Sequence, residues 1–462
     1  MPKMSEIIAA ILRGKRFYLA VAVCCFLEWL ALWRVAPNCW FDSDTVSYFF
    51  PVNLFAGRIS AVRPPVYCLF LNALRWFGDA RLPALAVATQ FAILLGTILL
   101  AAKMLRALFG YAIPVLIVCA YLALQGYFWA KALLPECFSF CATVLAVFLF
   151  WRMTVAPSKR LAWGLNILMA IAVLLKPVFL VMAIALFLAW GFFIVAGDRR
   201  RRCTGAILLS YVVSLGIVLG YCSLMQVRHG MFGVSSVGIQ NDLLNIISSS
   251  AWTTCGDSRA KALLSEELQN NPKRTYATVF ALQWAVIPKS GEQTDLNEIA
   301  PDYLMENGNA RFCRDLASQY TKGTLYSLDE LRDFIREAKR QPLFQKFLLQ
   351  KLFIAFGAPR GVFIVPFWLG VTGLVVSLSR RNHLLFFTNL LLVGFLAAVV
   401  LKIDILVADP DANERLLYPV FLIPWMNLLS YFSHAWPTSI NRDTYLCGSS
   451  SRQLGKMQDD PD

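Results

Sequence analysis

Long runs of apolar residues alternate along the chain with shorter polar segments. A helix needs about 20 mostly apolar residues to cross a bilayer, because lipid cannot satisfy unpaired backbone amides and carbonyls. Ten runs approach this length: Phe17–Ala36, Pro83–Ala102, Ala107–Gln125, Cys137–Val155, Leu161–Leu175, Val178–Ala196, Gly205–Gln226, Gly361–Leu378, Leu384–Leu401 and Leu416–Ser433. The pattern predicts an all-α integral membrane protein with ten transmembrane helices.

The polar segments divide the chain into four parts. Residues 1–226 form an N-terminal transmembrane module of seven predicted spans, whose first outer loop covers residues 37–82. Residues 227–360 are too polar to cross the bilayer and predict a large, mostly helical outer loop. Residues 361–434 form a C-terminal module of three predicted spans, and residues 435–462 form a polar tail.

The large loop contains a recognisable helix start. Ser327 and Glu330 form a capping box, in which a hydroxyl and a carboxylate satisfy backbone amides of the first turn. The pattern continues past Pro342 into a segment that mixes Lys346 and Lys351 with Phe and Leu. That mixture is typical of an interfacial helix.

Basic residues indicate the orientation of the spans, because cytoplasmic loops carry an excess of Lys and Arg. With the N-terminus inside, every second loop is basic: Lys15/Arg16, Lys103/Arg106, Arg152/Lys159/Arg160, Arg199–Arg202 and Arg380/Arg381. Both termini are therefore expected in the cytoplasm. The loops 37–82 and 227–360 then face outside, with shorter outer loops at Gly126–Glu136 and Lys402–Arg415.

The composition supports this interpretation and excludes others. Hydrophobic residues make up 58% and charged residues 16% of the chain, and the mean hydropathy is +0.57. A soluble domain has roughly 25% charged residues, so a soluble enzyme is excluded. The net charge of +14 follows from the basic cytoplasmic loops, and we expect no nucleic-acid partner.

The positions of the cysteine residues leave open whether the protein contains a disulfide. Most of the 12 lie in apolar runs, where a thiol behaves as a small hydrophobic group. We find no CxxC pair or Cys/His cluster with metal-ligand spacing. Two pairs, Cys39 with Cys68 and Cys255 with Cys313, lie in predicted outer segments, where disulfides can form in an oxidising compartment.

Charged residues at the outer ends of the predicted spans are the candidate functional residues, since ionisable groups at membrane level usually serve a function. The predicted topology brings these to one surface: Asp42, Asp44, Arg63, Lys131, Glu136, Lys176 and Arg415. Carboxylates together with several cations suit a reaction on an anionic lipid in which a second substrate loses a proton.

Each of these residues also has a plain structural explanation. Carboxylates in short loops, such as Asp42, are usually only solvated. Lys176 can be a helix end that extends its ammonium group to the interface. Arg415 beside Glu414 can form a surface ion pair worth under about 1 kcal/mol, and Arg63 before two prolines can belong to a rigid turn. The combination of these groups on one surface favours a functional site.

Four short motifs carry a resemblance to a known family. Asp44 is followed four residues later by Tyr48, and Arg63-Pro-Pro-Val-Tyr67 comes next. Glu136 precedes the fourth span, Lys176-Pro177 separates the fifth and sixth, and Arg415 stands ahead of Tyr418-Pro419. Their order and sidedness resemble the GT-C superfamily of polytopic glycosyltransferases, close to the bacterial protein O-mannosyltransferases and aminoarabinose transferases. Lys176 stands where these enzymes often have Arg.

This resemblance implies a function. The donor would be a sugar linked to polyprenyl phosphate, and the acceptor would be lipid A, a surface glycan or a protein. Transfer would occur with inversion at the outer face of a bacterial inner membrane. Asp44 is the expected catalytic base with Asp42 second, and Glu136 is expected either to orient the acceptor or to share the catalytic work. The resemblance implies the following further roles: Arg63, Lys176, Arg415 and Lys131 binding the donor phosphate, and Tyr48, Tyr67 and Tyr418 positioning substrate.

No cofactor is expected, although a divalent metal ion at Asp42-Ser-Asp44 stays open because some relatives use an Asp-x-Asp motif. A transporter or flippase for an anionic lipid is the competing class, and a structural subunit is a third. Transporters usually show repeats and charges near the midplane. Here the charges cluster at one surface, with Glu28 in the first span as the exception.

Overall fold

The computed structural model of the protein describes residues 14–36, 48, 53–54, 59–60, 63–195, 203–270, 328–356, 363–380, 382–402, 418–420 and 422–435. Regular elements in these ranges are α-helices and short 3-10 helices. The α-helices are α1 (Gly14–Val35), α2 (Pro65–Arg75), α3 (Leu82–Phe109), α4 (Ala112–Lys131), α5 (Glu136–Val155), α6 (Lys159–Leu175), α7 (Leu180–Val195), α8 (Thr204–His229), α9 (Val237–Ser248), α10 (Arg259–Asn270), α11 (Leu328–Arg340), α12 (Pro342–Phe356), α13 (Ile364–Ser379), α14 (His383–Lys402) and α15 (Leu422–Ala435).

Seven helical segments in the described ranges are long and apolar enough to cross a membrane: Gly14–Val35, Asp79–Phe109, Ala112–Lys131, Glu136–Val155, Pro177–Val195, Thr204–His229 and His383–Leu401. They confirm the prediction of an all-α membrane protein. The other three predicted spans correspond to α6, α13 and α15, with 17, 16 and 14 residues. At about 1.5 Å per residue, these helices are shorter than a hydrocarbon core of about 30 Å.

The structure corrects the ends of two predicted spans. α3 continues past the predicted end at Ala102, so that Arg106 is helical. It ends at Gly110, which has a φ of 75° and donates its N–H to the Arg106 carbonyl. Glycine adopts this left-handed conformation without the strain of a side chain. α4 then extends to Lys131, so the predicted outer loop Gly126–Glu136 starts too early, and four residues connect α4 to α5.

The core of the bundle lies between α1 and the helices α3 to α8, with α14 against them. α1 contributes Phe17, Val21, Cys25 and Trp29, which are buried and four residues apart. Side chains at this spacing lie on one helix face. Apolar side chains on the remaining surface of α1, such as Leu19, are exposed, as expected where a span faces lipid.

A second apolar cluster joins the helices α9 to α12 of the large loop. Leu331 and Phe334 on α11 are buried in it, as the sequence predicts, whereas Ser327 lies outside the described residues. Lys351 on α12 is buried and donates to the Asn245 amide oxygen over 2.6 Å. Lys351 therefore faces α9, and the interfacial position of α12 stays a prediction.

Buried amides connect the spans away from their ends. Asn166 accepts from the Trp190 indole at 3.0 Å and donates to the Ser210 hydroxyl at 2.7 Å, which joins α6, α7 and α8. Asn427 donates to Asn389 at 2.6 Å and joins α15 to α14. Such hydrogen bonds hold transmembrane helices together, since lipid gives their polar atoms no partner.

Cys68 and Cys255 are buried, and their thiols donate to backbone carbonyls four residues earlier. Burial raises the pKa of the Cys255 thiol above its ordinary value. Their suggested partners, Cys39 and Cys313, lie outside the described residues.

Candidate active site at one end of the helix bundle

Several helix ends meet at one end of the bundle, which we call the site end: the C-terminal ends of α1, α4 and α6 and the N-terminal ends of α3 and α5. Lys131 at the end of α4 donates to the carbonyl of Ala36, directly after α1. Gln90 in α3 donates over 2.8 Å to the carbonyl of Ala132, in the connection between α4 and α5. The site end thus gathers residues that are far apart in sequence.

A buried ion pair lies at the site end. The ammonium nitrogen of Lys176 is 3.2 Å from Oε1 of Glu136. The Glu136 side chain is fully buried, whereas the Lys176 side chain is 20% exposed. The attraction between two such charges is stronger than in water, because the surroundings are less polarisable. Lys176 therefore places a positive charge at the boundary between the protein interior and the outside.

Local sequence explains both positions. Glu136 is the first residue of α5, where the helix dipole and the free amides of the first turn favour a carboxylate. Lys176 has extended backbone angles between α6 and the 3-10 helix Pro177–Phe179. A residue before proline avoids the helical conformation, so Pro177 ends α6 at this position.

Tyr67 on α2 lies beside this pair. Its hydroxyl donates to the Gln90 side chain at 2.8 Å, and its ring centroid is 5.7 Å from that of Phe138 on α5. Burial raises the pKa of Tyr67 well above its ordinary value, and nearby Cys137 and Glu136 act in the same direction. The side chain is therefore a neutral hydroxyl that can serve as a hydrogen-bond donor.

Arg63 and Tyr48 continue this cluster from the first outer loop. The guanidinium carbon of Arg63 lies 4.7 Å from the centre of the Tyr48 ring, a cation–π contact. The Tyr48 ring packs edge-to-face on Tyr67 at 5.2 Å. Arg63 is only 6% exposed, so the loop carries a cation into the protein beside the aromatic residues.

Lys131 also lies at the site end, but it contacts α1. Its ammonium group donates to the Ala36 carbonyl and lies 5.5 Å from the Trp33 ring and 5.2 Å from the Tyr127 ring. These contacts fix the C-terminal end of α1. The Lys131 side chain is 4% exposed, and one of its N–H bonds already donates to the Ala36 carbonyl. A role in phosphate binding requires the remaining N–H bonds of the ammonium group.

Tyr418 is buried against the first turns of α5. Its ring stacks on Phe140 with centroids 4.8 Å apart, and the Trp129 ring is 6.0 Å away. Phe140 lies one helical turn after Glu136, so the C-terminal part of the chain reaches the same region. Tyr418 supports α5 through its ring.

The remaining predicted site residues, Asp42, Asp44 and Arg415, lie outside the described residues. The structure therefore brings together Tyr48, Arg63, Tyr67, Glu136 and Lys176, with Tyr418 behind Glu136 and Lys131 on the side of α1. Where it describes the chain, no group of three or more His, Cys, Asp or Glu side chains is arranged to hold a metal ion.

An apolar groove of about 480 Å³ opens between α1 and α3 at the site end. Its lining is Trp33, Ala80, Pro83, Ala84, Val87, Ala88 and Phe91. Phe91, the lining residue farthest along α3, packs on Trp29 with ring centroids 4.9 Å apart. The groove covers about 12 Å of α3 between Pro83 and Phe91, close to the depth of one leaflet.

Sequence analysis missed Gln90. This residue is fully buried, accepts from Tyr67 and donates to the carbonyls of Ala130 and Ala132 at 2.8 Å each. It thereby connects α2 and α3 to the segment that leads into Glu136. A single glutamine inside an apolar span was the available sequence feature, because an intramembrane polar group is costly unless it has a specific partner.

Comparisons with known proteins identify no relative: no family model, curated protein or solved structure matches the chain.

Proposed function

We propose that the protein is a membrane glycosyltransferase that transfers a sugar from a polyprenyl-phosphate donor to an acceptor at the site end. The observation that carries the proposal is the ion pair between buried Glu136 and partly exposed Lys176, next to Arg63 and neutral Tyr67. Such a site offers a cation to an anionic lipid headgroup at the level where that headgroup lies in a membrane.

Lys176 and Arg63 bind the donor phosphate in this proposal, together with Arg415. Charge-assisted hydrogen bonds from ammonium and guanidinium groups to phosphate are about twice as strong as neutral ones. Their positive charge also stabilises the negative charge that develops on the leaving phosphate. The Glu136 carboxylate holds Lys176 in place and orients the acceptor. Lys131 contributes a further cation to phosphate binding at the side of α1. Tyr48, Tyr67 and Tyr418 position the substrates.

Asp44 is the proposed base, with Asp42 as the second candidate. The acceptor oxygen or nitrogen attacks the anomeric carbon from the side opposite the phosphate, and its proton passes to the carboxylate. As the new bond forms, the bond from the anomeric carbon to the phosphate oxygen breaks. Polyprenyl phosphate leaves with that electron pair, and the configuration at the anomeric carbon inverts. The step needs no cofactor, and a divalent ion at Asp42 and Asp44 is a minor variant of the proposal.

The apolar groove between α1 and α3 supports a lipid-linked donor. Its lining is hydrocarbon and aromatic, and its length matches one leaflet. The acceptor is lipid A, a surface glycan or a protein.

We further propose ten spans, in which α6, α13 and α15 also cross the bilayer. In this proposal both termini lie in the cytoplasm of a bacterium and the site end lies outside its inner membrane. The excess of Lys and Arg in alternate loops supports this orientation. Short helices can cross where the bilayer thins locally or where they pack inside the bundle. Cysteine labelling from outside tests this arrangement: we expect Ala80→Cys to react, and a reagent that labels only Ser158→Cys would contradict it.

The decisive experiment compares membranes with and without the protein by mass spectrometry of lipids and surface glycans. A glycosyltransferase releases polyprenyl phosphate and modifies an acceptor. A transporter or flippase would instead move its substrate between leaflets without cleaving a bond, and this outcome would contradict the proposal.

The substitution Asp44→Asn tests whether Asp44 is the catalytic base. Loss of a general base should lower transfer at least about 100-fold while the protein is still inserted in the membrane. Asp79→Asn is the matched control, since Asp79 is an exposed carboxylate of the same region that pairs with Arg75 at 3.2 Å. Near-normal transfer by Asp44→Asn would exclude Asp44 and direct attention to Asp42.

Lys176 tests donor binding, with undecaprenyl phosphate as the probe. Lys176→Ala should weaken binding about tenfold, because it removes a charged hydrogen bond. Lys176→Arg keeps the charge and should bind more tightly than Lys176→Ala. Equal affinity of the two variants would contradict a role in phosphate binding.

A further inference from the structure

A partly exposed cation lies at the opposite end of the bundle, remote from the site end. Arg106 is in the last turn of α3, and its guanidinium carbon lies 4.3 Å from the centre of the Phe17 ring on α1. Phe17 is fully buried. The guanidinium group therefore sits between two membrane-spanning helices, near their ends.

The edge of this guanidinium group has unmet hydrogen-bonding capacity. Its Nη1 atom is buried and donates to no acceptor in the part of the chain that the structure describes. The Phe17 ring lies 4.3 Å from the guanidinium carbon. The N–H bonds of a guanidinium group point outward within its plane. A buried donor without an acceptor is costly, so the site favours a ligand that accepts hydrogen bonds.

The neighbouring helices supply no negative charge to Arg106. The sequences of α3 and α4 contain no Asp or Glu. In α1, Glu28 is 11 residues from Phe17, about 16 Å along the helix axis. Lys15, Arg16 and Lys103 are exposed nearby and raise the local positive potential. An anion for Arg106 therefore has to come from outside these helices.

The depth of the site indicates which anion. Arg106 is three residues before the end of α3, about 4.5 Å along the axis. The ends of a membrane-spanning helix lie near the lipid headgroups, so we infer that Arg106 lies close to the level of the lipid phosphates. An arginine edge binds two phosphate oxygens at once. Basic pockets between transmembrane helices are known to take anionic lipid headgroups.

We propose that an anionic phospholipid binds between α1 and α3 at this end, with its phosphate on the edge of Arg106 above Phe17. Lys103 and Arg16 attract its headgroup, and its acyl chains lie along the apolar outer surface of α1. This site is separate from the candidate active site, so the two proposals stand or fall independently.

Native mass spectrometry of the purified full-length protein tests the proposal, with phosphatidylglycerol as the probe and phosphatidylcholine as the zwitterionic comparison. The protein should retain phosphatidylglycerol preferentially. Arg106→Gln should lower its retention about fivefold, the effect of one basic residue near a membrane surface. Arg106→Lys should lower it less, because an ammonium group keeps the charge but not the two-point contact.

Arg160→Gln is the matched control, since it removes an exposed positive charge from the start of α6, at the same end of the bundle. Equal losses in Arg106→Gln and Arg160→Gln would overturn the proposal, as would equal retention of the two lipids. Displacement of phosphatidylglycerol by millimolar inorganic phosphate would also overturn it, because the ligand would then be a soluble anion. If Arg106→Gln does not fold, Phe17→Leu replaces it, and unchanged retention in Phe17→Leu would contradict the proposed contact.

Discussion

Two buried polar networks in this protein use similar residues for different purposes. At the site end, Gln90 joins Tyr67 to the backbone that leads to the Glu136–Lys176 ion pair. In the middle of the bundle, Asn166 joins Trp190 and Ser210 on neighbouring helices. Both amides are completely buried, and both hold three segments of chain.

The two networks differ in the side chains that surround them. The Asn166 network consists of neutral side chains that satisfy one another, so it contributes only to helix association. The Gln90 network holds an aromatic hydroxyl and the start of α5 in a fixed position relative to two charges. We infer that removing the first network costs stability alone, whereas removing the second costs both stability and activity.

The largest effect is expected from Gln90→Leu. The substitution removes three hydrogen bonds and leaves the Tyr67 hydroxyl and two carbonyls without that partner, a loss of about 3 kcal/mol. Displacement of Tyr67 and α5 should also lower transfer per folded molecule about tenfold or more. Thermal unfolding and turnover measure the two effects separately. Gln125→Leu, at a half-buried glutamine of α4, is the control, and equal turnover in the two variants would contradict a positioning role for Gln90.

Asn166→Leu should have a smaller effect, confined to stability. The Trp190 indole and the Ser210 hydroxyl lose a partner, which we expect to cost about 2 kcal/mol. Thermal unfolding in detergent measures the loss, and transfer by the folded fraction should match the unsubstituted protein. A fall in that specific activity would show that the two networks are coupled.

Gly373→Ala extends the comparison to the C-terminal module. A Cβ atom at Gly373 would lie 2.5 Å from the amide nitrogen of Asn389, whose amide oxygen accepts a hydrogen bond from Asn427. Asn389 must move, at a cost of about 1–2 kcal/mol. Gly96→Ala is the control, since a Cβ there meets no atom within 4 Å. Similar melting temperatures for the two variants would contradict this packing.

Tyr67→Phe should have the smallest effect, about 1 kcal/mol from one lost hydrogen bond. Because the pKa of Tyr67 is raised in the fold, its stabilising contribution is complete below about pH 10, where the unfolded chain keeps the proton. That contribution is lost as the pH rises above this value. The free energy of unfolding, measured between pH 8 and pH 11, should therefore decline less steeply with pH in Tyr67→Phe than in the unsubstituted protein. Parallel curves for the two proteins would contradict the raised pKa of Tyr67.

The apolar runs predicted the seven long apolar helices, and they failed mainly at helix ends. Hydropathy measures the average polarity of a window, so it placed the end of the second span before Lys103. The structure continues that helix to a glycine cap at Gly110, where backbone conformation rather than polarity ends it. The burial of Lys351 could not be predicted in the same way, because which face of a helix is buried depends on the neighbouring helix.

The candidate site was predictable in part. Successive spans cross the membrane in opposite directions, so counting helix ends was enough to expect Glu136 and Lys176 on the same side. Gln90 was not predicted, since its importance depends on Tyr67 and on the carbonyls of Ala130 and Ala132, which are 23 and about 40 residues away. Hydrogen bonds over such separations depend on helix packing.

By itself, the sequence determined that this protein is a helical membrane protein and which helix ends share a side, because bilayer thickness imposes the length and polarity of each span. Only the tertiary structure decided that Lys176 pairs with Glu136, that Lys131 binds the end of α1, and that Gln90 holds Tyr67. The bilayer imposes a similar apolar length on every span, whereas the rotation and packing of each helix against its neighbours determine which polar side chains pair.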